Sequence, residues 1–313
     1  MKSHINSILI PTDFSDSSEN ALGVGIAIAK RQNASITLLH VVDRYVYLQP
    51  HEVFIPEIKI MPDINYMIEF RLKEFSESLA KITGLDIKGK VLNGQPFEQI
   101  CQLSFNEKTD LIVMGTHGTS GSRGLFMGSE AYRVVKNASC PVLTIPGNWK
   151  NKGFKKVLFP IRLIPGALEK YFYARPIIEK NHSEIFILGL TDLKNTHSTK
   201  DLISLIEKLK NQLKNDNIKF QTSYCPDDDF PKEVSKTAKL LEVDLIILTA
   251  NIDPDWKSYI IGPFVKQVIN HAQVPVLSIK PANRQNEEPL SAKLIGKWGR
   301  SAKISVKKKG TDK

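Results

Sequence analysis

The sequence predicts an α/β protein of two tandem, open, doubly wound parallel sheets with five strands each. Three observations carry this reading. Short, nearly all-apolar runs alternate with segments of helical periodicity, polar turn-forming stretches separate them, and the second half repeats the first in the same order.

Residues 7–15, SILIPTDFS, open with a strand-length apolar run that ends in Pro, Thr and Asp. Apolar positions at helical spacing follow over 19–31, with Ser17 or Ser18 as the expected cap. SITLLHVV at 35–42 returns to a strand pattern and completes a βαβ unit whose strands are buried on both faces. Residues 43–65, with Pro50, Pro56 and Pro62, read as a surface excursion with room for a short helix. A long helix is expected at about 66–82, a strand at 86–92, a helix at about 96–107 and a strand at 110–115. The glycine-rich stretch 115–128 then leads into a helix at about 129–137 and a last strand at 140–146.

The polar, basic linker GNWKNKGFKK at 147–156 marks a domain boundary. Beyond it, 156–164 matches 7–15 and 183–190 matches 34–41, both at a shift of 149 (156 − 7; 183 − 34). VDLIILTA at 243–250 lies over TDLIVMGT at 109–116, and 271–281 over 137–147, both at a shift of 134. The shift falls because the second copy lacks most of the proline-containing excursion. The domains are therefore 1–146 and 155–280, followed by a tail at 281–313.

The net charge of +10 is concentrated at one end. The tail holds nine Lys or Arg against three Asp or Glu, a balance of +6, so it is read as a disordered basic arm able to contact polyanions. The apolar run near the start is too short for a signal peptide, and no stretch is long and apolar enough for a membrane span, which points to the cytoplasm. Cys101, Cys140 and Cys225 form no metal-ligating cluster and read as small buried hydrophobes.

Glycines fall at 115, 118, 121, 124 and 128, with Ser129 directly after the last. This stretch leaves the C-terminal end of a parallel strand and enters a helix, so its N–H groups and the helix N-terminus can receive a phosphate chain. Ser122 and Ser129 add hydroxyls, and Arg123 adds charge. The alternative is a solvent loop without a ligand. No Lys adjoins Ser129 to make G-x-x-x-x-G-K-[ST], and the glycines do not follow the first strand as G-x-G-x-x-G, which argues against a dinucleotide dehydrogenase. His117 lies within the loop, where it could donate to a phosphate, and His40 reads as a packed, hydrogen-bonded core histidine.

Gly115, Gly118, Gly128 and Ser129 satisfy G-x₂-G-x₉-G-[ST]. The first strand ends in Pro11, Thr12 and Asp13, and the last begins with Cys140, Pro141 and Val142. On these residues the chain resembles the universal stress protein family, as a tandem member of its ATP-binding branch, over roughly 5–146 and 155–280. The resemblance implies sheets of the adenine-nucleotide alpha-hydrolase-like (Rossmann-like) type and ATP as cofactor, with Mg2+ or Mn2+. It places Asp13 near ribose and adenine and the backbone of Val41 and Val42 against the base; Pro11 and Thr12 beside Asp13 are further cofactor-binding candidates, Thr12 through its N–H or hydroxyl. The loop from Met114, with Gly115, Gly118, Arg123 and Gly128, would hold the phosphates, and Ser129 and Glu130 would lie beneath them. Asp13 is the candidate metal ligand; a helix cap is its other reading.

In the second half Asp13 becomes Arg162, Gly115 becomes Thr249, Gly118 becomes Ile252 and Ser129 becomes Pro263, while Gly128 keeps a glycine, Gly262. A proline in place of Ser129 removes a hydroxyl and an N–H, so one ATP site per chain is expected, in the first domain. The function implied is a nucleotide-regulated stress-response or signalling protein with an unidentified protein partner. Hydrolysis is expected to be slow at most, since no general base or Arg–Lys clamp is evident. The competing reading is an interaction or scaffold protein of the same fold without nucleotide. An α-hydrolase-type enzyme fits poorly, because PTDFSDSS carries no SGGxDS-like loop. Single domains of such proteins pair through the last strand. A tandem chain can make that pairing internally, with 142–146 beside 276–280, as a pseudo-dimer that leaves homodimerisation open.

Overall fold

Both halves alternate strand and helix in the computed structural model, which describes residues 4–42, 62–117, 128–191, 196–225, 229–250 and 263–280. The first half holds β1 (Ser7–Pro11), α1 (Asp16–Gln32), β2 (Ser35–Val42), α2 (Pro62–Thr83), β3 (Ile87–Asn93), α3 (Pro96–Asn106), β4 (Leu111–Gly115), α4 (Ser129–Asn137) and β5 (Val142–Ile145). The second holds β6 (Lys156–Ile161), α5 (Glu169–Asn181), β7 (Glu184–Leu190), α6 (Thr196–Asn215), β8 (Phe220–Cys225), α7 (Phe230–Leu240), β9 (Leu245–Thr249), α8 (Pro263–His271) and β10 (Val276–Ile279). The excursion expected over 43–65 falls mostly outside the described residues, as does the tail from 281. No helix among the described residues is long and apolar enough to cross a membrane.

The expectation of two separate five-stranded sheets is corrected. There is one ten-stranded sheet, in the order β3-β2-β1-β4-β5-β10-β9-β6-β7-β8. All neighbours run parallel except β5 and β10, which pair antiparallel with Leu143 opposite Leu277. The physical reason lies in those two strands. Each is four residues long and wholly buried, so an unpaired edge there would strand backbone donors and acceptors away from water. Joining the edges satisfies them. The outer edges behave differently, since apart from buried Ile87 the residues of β3 and β8 are exposed or half-buried and within reach of water.

Helices cover both faces. One core layer gathers Ala21 and Ile28 of α1, Leu72 of α2, Tyr171 and Ile178 of α5 and Ile206 of α6. The other gathers Ile100 of α3, Val134 of α4, Val234 of α7 and Val265 of α8. Each layer runs unbroken across the β5–β10 seam. Polar ties reinforce it: Gln32 donates to the Pro176 carbonyl at 2.7 Å, Arg31 to the Lys152 carbonyl at 2.8 Å, and Lys280 to the Ala138 carbonyl at 2.7 Å. Ala138 ends α4, so the Lys280 ammonium also meets the negative end of that helix dipole.

The repeat extends to individual contacts. Asp110 accepts from the N–H groups of Asn6 (2.8 Å) and Ser7 (3.1 Å). Asp244, at 110 + 134, accepts from those of Lys155 (2.8 Å) and Lys156 (2.9 Å), at 6 + 149 and 7 + 149. Each carboxylate thus closes the N-terminal end of the first strand in its half. Helices α1 and α5 both end in a left-handed residue at equivalent places, Asn33 (φ 56°) and His182 (φ 50°). Replacing either aspartate by asparagine leaves a neutral, weaker acceptor, and each change is expected to cost about 1 kcal/mol. Urea unfolding of Asp110→Asn, Asp244→Asn and the double variant checks this. The sites are far apart in the sheet, so the losses should add.

Candidate functional site

The candidate residues come from separated segments, and the sheet order brings the described ones to one edge. β1 has β2 on one side and β4 on the other, which makes the gap beyond β1 and β4 a topological switch point, where open α/β sheets take ligands. Pro11 ends β1, and Thr12 and Asp13 follow it. Val41 and Val42 end β2, and Met114 and Gly115 end β4. Gly128 caps α4, with Ser129 and Glu130 in its first turn. Gly118 and Arg123 lie outside the described residues.

Thr12 is held on every polar atom. Its N–H donates to the Leu39 carbonyl at 2.8 Å, its carbonyl meets His40 Nδ1 at 2.8 Å, and its hydroxyl accepts from the Phe14 N–H at 3.1 Å. His40 is therefore hydrogen-bonded as expected, though half-buried. Asp13 Oδ1 accepts from the N–H (3.1 Å) and the hydroxyl (2.6 Å) of Ser15. Ser15 in turn caps α1, its side chain accepting from the Ser18 N–H. This corrects the expected cap: Ser17 and Ser18 lie inside the helix and are buried, while Ser15 has the extended backbone a cap requires. Asp13 stands one step behind, holding the cap residue.

Phe14 was not singled out by sequence. It adopts a left-handed φ of 60°, costly for a bulky side chain, and is 48% exposed beside Asp13. Its ring sits 5.0 Å from that of His40.

Gly115 has a cause in packing. A Cβ there would lie 2.3 Å from Ser17 Oγ and 3.0 Å from the Ser17 carbonyl oxygen, so the first turn of α1 rests directly on the end of β4. The second half exchanges the sizes: Thr249 replaces Gly115, and Gly166 (17 + 149) replaces Ser17. The first helix there also starts later, at Glu169 rather than at the equivalent of Asp16.

At α4, the Gly128 N–H donates to the Thr116 carbonyl at 2.8 Å, and this cap residue, a glycine, supplies no side-chain cap. Ser129 is exposed at the first position. Glu130 turns elsewhere: Oε2 accepts from the Phe97 N–H at 2.9 Å and Oε1 from Arg133 at 3.3 Å. Its carboxylate thereby serves the N-terminus of α3, where Gln95 makes no side-chain cap. Among the described residues no side chain accepts from the first-turn N–H groups of α4, so they and the positive dipole end are open to an acceptor there. Two buried polar atoms nearby, Ser17 Oγ and His117 Nε2, have no partner among the described residues, while His117 Nδ1 meets the Thr116 hydroxyl at 2.9 Å. The arrangement suits an anionic group over α4 with a carboxylate across from it. No group of three His, Cys, Asp or Glu among the described residues could hold a metal alone. A divalent ion at Asp13 would need water or ligand oxygens to complete its shell. Burial pushes the Cys101 thiol up to about 12, so it stays protonated and unreactive.

The profile of the Universal stress protein family matches residues 4–146. A universal stress protein of Methanocaldococcus jannaschii is 36% identical over 141 residues, covering 44% of this chain and 80% of the relative. One from Thermus aquaticus is 33% identical over 139 residues, covering 44% of this chain and 96% of the relative. The chain belongs to the universal stress protein family. The fold it shares with that family extends past the matched half: a universal stress protein structure from Archaeoglobus fulgidus superposes with a TM-score of 0.68 over 89% of this chain and 97% of that one, at 20% identity. The universal stress protein sheet is thus present in an α/β, Rossmann-like arrangement.

Proposed function

We propose that the first half, residues 1–146, binds ATP with Mg2+ or Mn2+ beyond β1 and β4, and that occupancy sets the 115–128 loop and the choice of a protein partner. The observation that carries this reading is the meeting of Asp13, the end of β2, Gly115 and the uncapped start of α4 at one switch point. In this reading Asp13 faces the ribose or the ion, Val41 and Val42 border the base, and Ser129 and the N–H groups of α4 take the phosphates, helped by Gly118 and Arg123 from the loop. Glu130 acts indirectly, by fixing α4 against α3. The degenerate half, 155–280, serves as packing partner through β10. The protein is read as a cytoplasmic regulator in a stress response.

Calorimetric titration of nucleotide-free chain is expected to give one ATP per chain. Two equivalent sites, or none, would overturn the assignment. One observation favours a second reading, a scaffold that holds no nucleotide: the contact between Gly115 and Ser17 explains that glycine without a ligand. Absence of binding in the same titration would leave that reading standing.

A further inference from the structure

The equivalent edge of the second half holds a recess beyond β6 and β9, lined by Pro160, Arg162, Ala167, Lys170, Thr249 and Phe264. Lys170 is 2% exposed and occupies the place of Ala21 (170 − 149) in the first half. Its ammonium has three N–H donors, of which one goes to the Pro160 carbonyl, and it sits 4.2 Å from the Phe159 ring centroid. Arg162 follows β6 directly, its guanidinium 4.0 Å above the ring of Phe264. Among the described residues neither cation forms an ion pair with a carboxylate. The Thr249 hydroxyl, in a residue 5% exposed, also has no partner among those residues.

A buried ammonium beside a second cation, with no countercharge among the described residues, is costly unless something neutralises it. Burial and the neighbouring Arg162 hold Lys170 well below the usual lysine range, and burial lowers Arg162 as well. We infer that this recess is an oxyanion site, which takes the phosphoryl group of free phosphate or of a small phosphomonoester between Arg162, Lys170 and Thr249. A tetrahedral dianion suits two cations and a hydroxyl converging from three elements. The ring of Phe264 holds the guanidinium plane, whose fork matches two phosphate oxygens. The site is independent of ATP binding in the first half.

The test is equilibrium dialysis of the full chain with inorganic phosphate in chloride buffer, in a Ser129→Pro background that removes the other anion site's hydroxyl and N–H. About one phosphate per chain should bind saturably. Arg162→Gln and Lys170→Met should each weaken it at least tenfold. Glycerol 3-phosphate competing for the site would identify an esterified ligand, and failure to compete would identify free phosphate; both keep the site. No saturable binding, or binding unchanged by both substitutions, would overturn it. Should Lys170→Met fail to fold, Arg162→Gln decides alone, because Arg162 is only partly buried and its loss opens no core. ATP stoichiometry of the chain with Ser129 intact is read separately, so either assignment can fail without the other.

Discussion

Gly115→Val is expected to destabilise the protein by about 3 kcal/mol, the upper end of what overpacking a filled core costs. The new Cβ would meet Ser17 Oγ at 2.3 Å and the Ser17 carbonyl carbon and oxygen at 3.1 and 3.0 Å, and the last two are backbone of a buried helical turn that cannot swing aside. Either α1 slides along the sheet or β4 loses its register with β5. Adding Ser17→Gly removes the worst contact and leaves the backbone ones, so the double variant should recover part of the loss, roughly a third to a half. Urea unfolding of the two single variants and the double variant gives the coupling directly. Additive losses would show that Ser17 is not what excludes a side chain at 115.

Ser129→Pro is expected to weaken ATP binding at least tenfold, about 1.4 kcal/mol, while the melting temperature stays within a few degrees. Position 129 is the first of α4, where proline is tolerated because its missing N–H has no intrahelical partner. Gly128 before it is already extended (φ −59°, ψ 154°), as a residue preceding proline must be. The second half carries this arrangement naturally, as Pro263 at the start of α8. The substitution therefore removes a phosphate donor and a hydroxyl without disturbing the helix. Titration calorimetry beside thermal melting checks both parts; unchanged ATP affinity would remove α4 from the proposed site.

The fold was legible where local pattern and tertiary demand coincide. β2 spans 35–42 and α4 spans 129–137 as the sequence indicates, because a mostly apolar run bounded by turns and a helix entered through glycine admit few alternatives. The cap of α1 was not legible. Ser15, Ser17 and Ser18 all have the right chemistry, and only backbone angles separate them. Lys170 was missed because a charge in a helix is ordinarily solvated. Its spacing from Ala174, Ile177 and Ile178, all buried on one face, was the available signal. The use of Glu130 could not be read at all, since its partner Phe97 is 33 residues away in sequence and the contact exists only once α3 and α4 pack. The single sheet followed from a pairing that was foreseen, 142–146 beside 276–280, whose consequence is that the two sheets are one.

That pairing also sets a polarity. Strands within each half run the same way, but β5 and β10 run oppositely, so the carboxyl-terminal ends of β1 and β4 point toward one rim of the sheet and those of β6 and β9 toward the other. The molecule is bipolar. A flat partner docked over one rim leaves the other open to solvent, and only a partner that wraps around the helical layers can read both.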